Sequence, residues 1–247
     1  MALEVTGIEV SQAGRRMVTD TSFSLQPGEV TAVLGANGAG KSELVLGLAG
    51  MLPVTAGRIV ADGTDLTGAG PDVIRAAGVA AVPEGHRVFT RLSVDDNLRA
   101  AGAGLGAGDL EGALADTYGV FPELAERKGQ RAGTMSGGQQ QMLALGHALM
   151  CRPRYLLIDE MSLGLAPLVV KRLMGVVGDL KARGVGILLI EQFTDLALGI
   201  AEQALVLRGG KTRYSGPPKA LIDDKALLDA AYFGTDAAGR GAHVGVG

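Results

Sequence analysis

The spacing of apolar residues changes several times along this chain, and each change predicts a switch between strand and helix. Short apolar runs bounded by turn residues are typical of strands, whereas apolar residues three and four positions apart are typical of helices. Strands are predicted at residues 3–10, 17–25, 29–34, 57–60, 79–82, 155–158, 186–190 and 204–207. Helices are predicted at residues 41–51, 73–77, 110–118, 139–150, 168–183 and 195–201. The first two strands are expected to be joined by a turn at residues 14–16.

The stretch from Leu92 to about Met150 has helical character throughout, apart from a glycine-rich break at 102–108. Ser93 and Asp96 have the spacing of a capping box, in which side chains satisfy free N–H groups of a first helical turn. Strands alternate with helices on both sides, so we predict an α/β fold with a mostly parallel sheet and a helical insertion at about 91–150. One domain is expected over 1–235, followed by a disordered Gly/Ala-rich tail at 236–247.

The composition of the chain excludes several classes of fold and function. The 39 glycines among 247 residues follow no repeat, which excludes collagen-like and solenoid folds. A net charge of −3 gives no electrostatic reason to expect nucleic-acid binding. The single cysteine, Cys151, excludes an internal disulfide and fits a reducing compartment. No signal-peptide pattern or membrane-length apolar run is found, so we expect a cytoplasmic protein that reaches a membrane only through a partner.

The sequence GANGAGKS at 35–42, called the phosphate loop below, matches the pattern G-x-x-x-x-G-K-[ST] between a strand and a helix. Its glycines allow several backbone N–H groups to point at phosphate oxygens. Lys41 is expected to contact the β- and γ-phosphates of ATP, and Ser42 to hold Mg²⁺. The predicted nucleotide contacts of this region are Gly35, Ala36, Asn37, Gly38, Ala39, Gly40, Lys41, Ser42 and Glu43.

Two further motifs have chemical interest. Asp159 and Glu160 follow an apolar strand, and adjacent carboxylates there are costly to bury unless a cation or a proton transfer uses them. With the phosphate loop upstream, we assign Asp159 to Mg²⁺ and Glu160 to the attacking water as general base. The signature segment, Ser136–Gln139, opens a helix and could bind a second anion; by itself it would be an ordinary serine cap.

The order of these motifs resembles the ATPase subunit of ABC transporters over about residues 3–233. That resemblance implies a P-loop NTPase fold, with a RecA-like core sheet, an antiparallel β-subdomain and an inserted helical subdomain. It also implies that ATP lies between the phosphate loop of one subunit and the signature segment of another. Ser136, Gly138 and Gln139 would then contact a nucleotide that is held mainly by the partner subunit.

Four phrases resemble the branched-chain amino acid importer branch of that family: VPEGHRVF (82–89), QRAGTMSGGQQQMLALGHALM (130–150), SLGLAP (162–167) and LLIEQ (188–192). The resemblance implies that Glu84, where most members have Gln, helps to hold Mg²⁺ or water. Gln192 stands at a switch position that is commonly His, and would direct a neutral amide towards the γ-phosphate. Lys41, Glu160 and Gln192 are therefore the expected catalytic residues.

The same resemblance implies the partners. These are transmembrane permease subunits, contacted through Arg87–Asn97, and a second ABC ATPase subunit in a homodimer or heterodimer. A solute-binding protein would act only indirectly, and the chain would lie on the inner face of the cell membrane. Urea or short amides remain alternative cargoes.

Some residues depart from the family pattern. Ala13 stands where an aromatic residue normally stacks on adenine, Met161 replaces a proline, and His147 replaces an arginine. Glu43 places a carboxylate near the phosphates, which predicts weakened ATP affinity. These changes leave open a nucleotide-binding module with little hydrolysis. His147 has no His or Cys at i±4 and is interpreted as a helix-surface residue.

Overall fold

The computed structural model describes residues 1–85 and 87–234, and two β-sheets with covering helices make up this part of the chain. The strands are β1 (Leu3–Gln12), β2 (Arg15–Leu25), β3 (Val30–Leu34), β4 (Val54–Ala61), β5 (Thr64–Asp65), β6 (Val79–Val82), β7 (Tyr155–Asp159), β8 (Gly186–Ile190), β9 (Gln203–Arg208) and β10 (Lys211–Gly216). The helices are α1 (Lys41–Leu48), α2 (Pro71–Ala76), α3 (Val94–Ala101), α4 (Ala107–Val120), α5 (Pro122–Ala125), α6 (Gly137–Leu149), α7 (Pro167–Ala182), α8 (Thr194–Ile200), α9 (Pro218–Asp223) and α10 (Lys225–Phe233).

The larger sheet has the strand order β10-β9-β3-β8-β7-β6, and all of its pairs are parallel except β9 with β10. Every residue of β3, β7 and β8 is buried, because the faces of a parallel sheet are covered on both sides. The carboxyl ends of parallel strands share one edge, which is where ligands bind in open α/β sheets. The predicted mostly parallel α/β core is therefore confirmed.

The smaller sheet is antiparallel, with the order β2-β1-β4-β5, and it matches the expected antiparallel β-subdomain. Its first hairpin corrects the sequence prediction, since Arg15 and Arg16 belong to β2 and the turn is Ala13-Gly14. Both turn residues have positive φ, 48° and 77°, as the right-handed twist of a two-residue hairpin requires. Leu3, on the buried face of β1, pairs with Leu25 on one side and with Ala61 on the other.

All regular elements between Val94 and Leu149 are helical, apart from a short 3-10 turn at Ala132–Thr134. Ser93 caps α3 as predicted: its Oγ accepts a hydrogen bond from the Asp96 N–H at 3.1 Å and donates to the Asp96 carboxylate at 2.6 Å. One apolar cluster contains Leu98 of α3, Leu143 of α6 and Leu156 of β7; α6 packs on the larger sheet, and α3 packs on α6. That the segment 91–150 forms a separate subdomain stays a prediction.

Strand β10 and helices α9 and α10 were not predicted from the sequence. Helix α10 is fixed beside β9, where Arg208 Nη1 donates to the carbonyl of Ala230 at 2.9 Å. The predicted domain end at 235 and the tail at 236–247 lie outside the described residues. Among residues 1–85 and 87–234, no helix combines the length and the apolar character that crossing a membrane requires.

Candidate functional site

The phosphate loop joins the end of β3 to the start of α1, and two of its glycines leave no room for a side chain. A Cβ at Gly35 would lie 2.3 Å from the carbonyl oxygen of Leu207, and one at Gly40 would lie 2.6 Å from that of Met17. Gly40 also has a φ of 101° immediately before α1 begins at Lys41. The backbone can therefore follow this tight path only with glycine at both positions.

Lys41 is buried, and its ammonium lies against the inside of the phosphate loop. Its Nζ donates hydrogen bonds to the carbonyl oxygens of Gly35 at 2.8 Å and Ala36 at 3.2 Å. The positive charge is thus fixed within the curve of the loop, beside the N–H groups that open α1. This arrangement suits a bound anion.

Most of the predicted site residues line one open cavity of about 300 Å³. Its lining is formed by Asn37, Gly38, Gly40, Lys41, Ser42, Glu43, Glu84, Glu160, Leu163 and Gln192. The structure therefore brings the loops that follow β3, β6, β7 and β8 together. Leu163 was missed, because an apolar residue in a loop has no chemical signal of its own. Gly35, Ala36 and Ala39 belong to the same phosphate loop without lining the cavity.

Asp159, the last residue of β7, is buried beside this cavity and its Oδ1 has no hydrogen-bond partner. Burial raises the pKa of Asp159 to about 6, and the charges of Glu160 and Glu84 act in the same direction, while Ser42 and Lys41 oppose them. A carboxylate held this way gains most from a nearby cation. Asp159, Ser42 and Glu84 therefore fit the magnesium set that the sequence predicts, in which phosphate oxygens would supply further ligands.

No group of three His, Cys, Asp or Glu residues in the described ranges forms a metal site by itself.

Glu160 follows β7 with a φ of 48°, a left-handed conformation that costs a glutamate of the order of 1 kcal/mol. Its N–H donates to the carbonyl of Ile190 at 3.0 Å, and its Oε2 accepts a hydrogen bond from Gln192 Nε2 at 3.0 Å. In this structure the Gln192 amide holds the Glu160 carboxylate, and its contact with a γ-phosphate stays a prediction. The two predicted catalytic residues are therefore directly linked.

A neighbouring carboxylate, Glu191, was missed by the sequence analysis. It is buried at the end of β8, and its Oε2 accepts a hydrogen bond from the Ser162 hydroxyl. Burial raises the pKa of Glu191, and the charge of Glu160 adds to that effect. Its position in LLIEQ, one residue before Gln192, was the only available signal.

The signature segment is separate from the cavity, since Ser136, Gly138 and Gln139 are not among its lining residues. Ser136 caps α6: its hydroxyl accepts from the Gln139 N–H at 3.4 Å, and its N–H donates to Gln139 Oε1 at 3.0 Å. Gly138 packs on α7, where an added Cβ would lie 2.7 Å from Val169 Cγ1. The predicted serine cap is thus confirmed, and Gly138 has a packing role that the sequence did not reveal.

The interpretation of His147 as a surface residue is wrong. Its ring is partly buried, with Nε2 at 3.2 Å from Asn97 Oδ1 and the Phe89 ring centroid 5.8 Å away. Burial lowers the pKa of His147 to about 4, and the charge of Arg75 contributes. The position could not be recognised from sequence because Asn97 lies 50 residues away along the chain.

Comparison with known proteins gives consistent results. The family described as "ABC transporter" matches residues 18–162. The high-affinity branched-chain amino acid transport ATP-binding protein BraG of Pseudomonas aeruginosa is 41% identical, covering 87% of this chain and 92% of the relative. The probable branched-chain amino acid transport ATP-binding protein LivF of Archaeoglobus fulgidus is 31% identical over 83% and 87% of the two chains.

A solved structure described as the ATP-binding subunit of an ABC transporter superposes with a TM-score of 0.80 at 27% identity, covering 94% of this chain and 98% of that one.

Proposed function

Because this chain belongs to the ABC transporter family, we propose that it is the ATP-hydrolysing subunit of an importer for branched-chain amino acids. The observation that carries the proposal is the single cavity in which Lys41, Ser42, Glu160 and Gln192 meet. The cargo is inferred from the similarity to two ATP-binding proteins of branched-chain amino acid transport, at 41% and 31% identity.

In the proposed reaction the phosphate loop binds the triphosphate of ATP. A phosphate oxygen carries more charge than a backbone carbonyl, so Lys41 Nζ would exchange its bonds to Gly35 and Ala36 for bonds to the β- and γ-phosphates. Ser42, Asp159 and Glu84 would hold Mg²⁺. When bound, Mg²⁺ neutralises charge on the phosphates.

Glu160 is the proposed general base for the attacking water, and the Gln192 amide fixes the direction of its carboxylate. The hydrogen bond to Gln192 uses Oε2 and leaves Oε1 for the water. General-base catalysis contributes about 10²–10⁴ in rate. Replacing Glu160 with Gln should therefore lower turnover within that range while ATP binding persists.

The absence of the signature segment from the lining of the cavity supports a second subunit. Ser136, Gly138 and Gln139 do not line the cavity that holds the other predicted site residues, so we infer that they complete the site of a partner ATPase subunit. The partner is either a second copy or a related subunit. Mixing Glu160→Gln chain with wild-type chain separates these cases, since a homodimer loses activity more than in proportion.

Arg87–Asn97 is the proposed contact with the permease, and Phe89 of this segment lies beside a groove between α2 and the helical segment. The groove consists of two adjoining cavities of about 450 and 160 Å³ that share Asp72, Arg75 and Cys151. Two large apolar side chains near it are half exposed, Met51 at 50% and Phe89 at 55%. Docking there would place the chain at the inner face of the membrane, as the sequence analysis expects.

Transport in cells tests this proposal. Cells that lack the chain should take up labelled leucine, isoleucine or valine only when it is restored, and Glu160→Gln should abolish uptake. Glu126→Gln is a matched control, because Glu126 is an exposed carboxylate whose nearest partner is Arg127 at 3.1 Å. Uptake of urea or short amides in place of leucine would show that the cargo is wrong. ATP binding without hydrolysis, in cells and after purification, would favour a non-hydrolysing module.

A further inference from the structure

Asn97 closes the exposed segment before α3 into a fixed loop. This residue is fully buried, and its Nδ2 donates to the carbonyls of Phe89 and Ser93 at 3.0 and 2.8 Å, with a longer contact to Leu92 at 3.4 Å. Its Oδ1 accepts the Phe89 N–H at 2.8 Å. This side chain, together with backbone bonds from Ala132 N–H to Leu92 and from Gly133 N–H to Thr90, holds the shape of residues 87–92, called the docking loop below.

These contacts also fix the chemistry of His147. The nitrogen of the Asn97 amide must face the three carbonyls, so Oδ1 is the atom that faces His147. An acceptor at 3.2 Å requires a donor, and His147 must therefore carry its proton on Nε2. Burial and the charge of Arg75 lower the pKa of His147, so the ring is a neutral donor near neutral pH.

The His147 ring makes a second contact with the docking loop. It lies 5.8 Å from the Phe89 ring at an interplanar angle of 34°, while 55% of Phe89 remains exposed on the other side. A protein that presses on Phe89 therefore presses indirectly on His147.

His147 lies in the last turn of α6, and Ser136 caps the beginning of the same helix. The two residues are separated by about 16 Å along the helix axis, at 1.5 Å per residue. A helix of this length moves as a unit, so a displacement imposed near His147 also displaces the signature segment.

We propose that His147 is a positioning residue that joins the docking loop to helix α6 and so transmits contact with the permease to the signature segment. The proposal rests on the proposed function for the identity of the partner, although the link between loop and helix exists in the chain alone. In this proposal the hydrogen bond to Asn97 and the ring contact with Phe89 together hold the docking loop against α6.

Two substitutions separate the hydrogen bond from the ring. His147→Phe keeps an aromatic ring against Phe89 and removes the donor to Asn97. His147→Gln restores an N–H donor at about the same distance from the backbone. Phe89 amide exchange, measured on the full-length purified chain, should be about fivefold faster in His147→Phe and return close to wild type in His147→Gln. Unchanged exchange in His147→Phe, or no recovery in His147→Gln, would overturn the proposed link.

Leucine uptake in cells tests whether His147 transmits contact with the permease to the signature segment. His147→Phe should lower leucine uptake at least fivefold, while the ATP dissociation constant and basal turnover of the purified chain stay within twofold of wild type; His147→Gln should recover uptake. Wild-type uptake in His147→Phe cells, at equal protein level, would refute transmission. If the wild-type chain itself supports no uptake, the proposed function fails, and the exchange measurement still decides whether His147 holds the loop.

Discussion

Substituting alanine for Gly138 tests whether this glycine is needed for packing inside its own chain. A Cβ there would meet Val169 Cγ1 at 2.7 Å, Cγ2 at 3.2 Å and Cβ at 3.4 Å. Carbon atoms prefer separations of about 3.5–4.0 Å, so α6 or α7 would have to move by nearly 1 Å. Rotating the valine does not help, because its own Cβ is already close.

The expected cost follows from two opposing effects. Overpacking typically destabilises a protein by about 1–3 kcal/mol, whereas alanine is better than glycine in a helix by up to about 1 kcal/mol. Gly138→Ala should therefore lower the free energy of unfolding by about 1–2 kcal/mol. In a Val169→Ala background the clash disappears, and the same change should be neutral or slightly stabilising.

Urea unfolding of the wild type, both single variants and the double variant gives the coupling energy of this pair. We expect a coupling of at least 1 kcal/mol. Gly175→Ala in α7 is the matched control, since no atom lies within 4 Å of its added Cβ; it should be stabilising. A coupling below about 0.5 kcal/mol would show that Gly138 is not needed for packing against Val169.

Three further results are expected. The pKa of His147 is about 4 in the folded chain and returns to its ordinary 6.5 on unfolding, so the neutral ring stabilises the fold fully above pH 6.5. As the pH falls from 6.5 towards 4, the free energy of unfolding should drop by about 3 kcal/mol at most. The stability of His147→Gln should depend less on pH in that window, and an equal dependence in both proteins would contradict this. Tyr155→Phe removes the hydroxyl that donates to Asp62 Oδ1 at 2.6 Å and should cost about 1.5–3 kcal/mol in urea unfolding, whereas a loss below 0.5 kcal/mol would refute it. Glu43→Thr removes a carboxylate from the cavity and should tighten ATP binding several-fold; calorimetry with an unchanged dissociation constant would show that Glu43 does not repel the phosphates.

Local features of this protein were predictable and contacts distant in sequence were not. The phosphate loop, the Ser136 cap and the buried strand β3 are each encoded within a few consecutive residues, where backbone geometry restricts the choice of amino acid. By contrast, the bonds from Gln192 to Glu160 and from His147 to Asn97 join residues 32 and 50 positions apart. Such pairs depend on strand order and helix packing, which apolar spacing does not determine.

Two elements of the fold were predicted wrongly or missed, the first hairpin turn and strand β10. Arg15 and Arg16 were placed in the first turn because they lie between the two predicted strands, although the two-residue hairpin needs positive φ and uses Ala13-Gly14. Strand β10 has alternating partly exposed residues without a strong apolar signal, and it is stabilised by pairing with β9.

At Glu160 the requirement of stability conflicts with the requirement of activity, because the backbone of this residue is left-handed. Glycine or asparagine would relieve the unfavourable φ of 48°, but neither could serve as the base that we assign to this position. Variants selected only for heat resistance should accumulate such replacements here and lose transport. Survival of glutamate at this position in a library therefore reports selection for turnover rather than for folding.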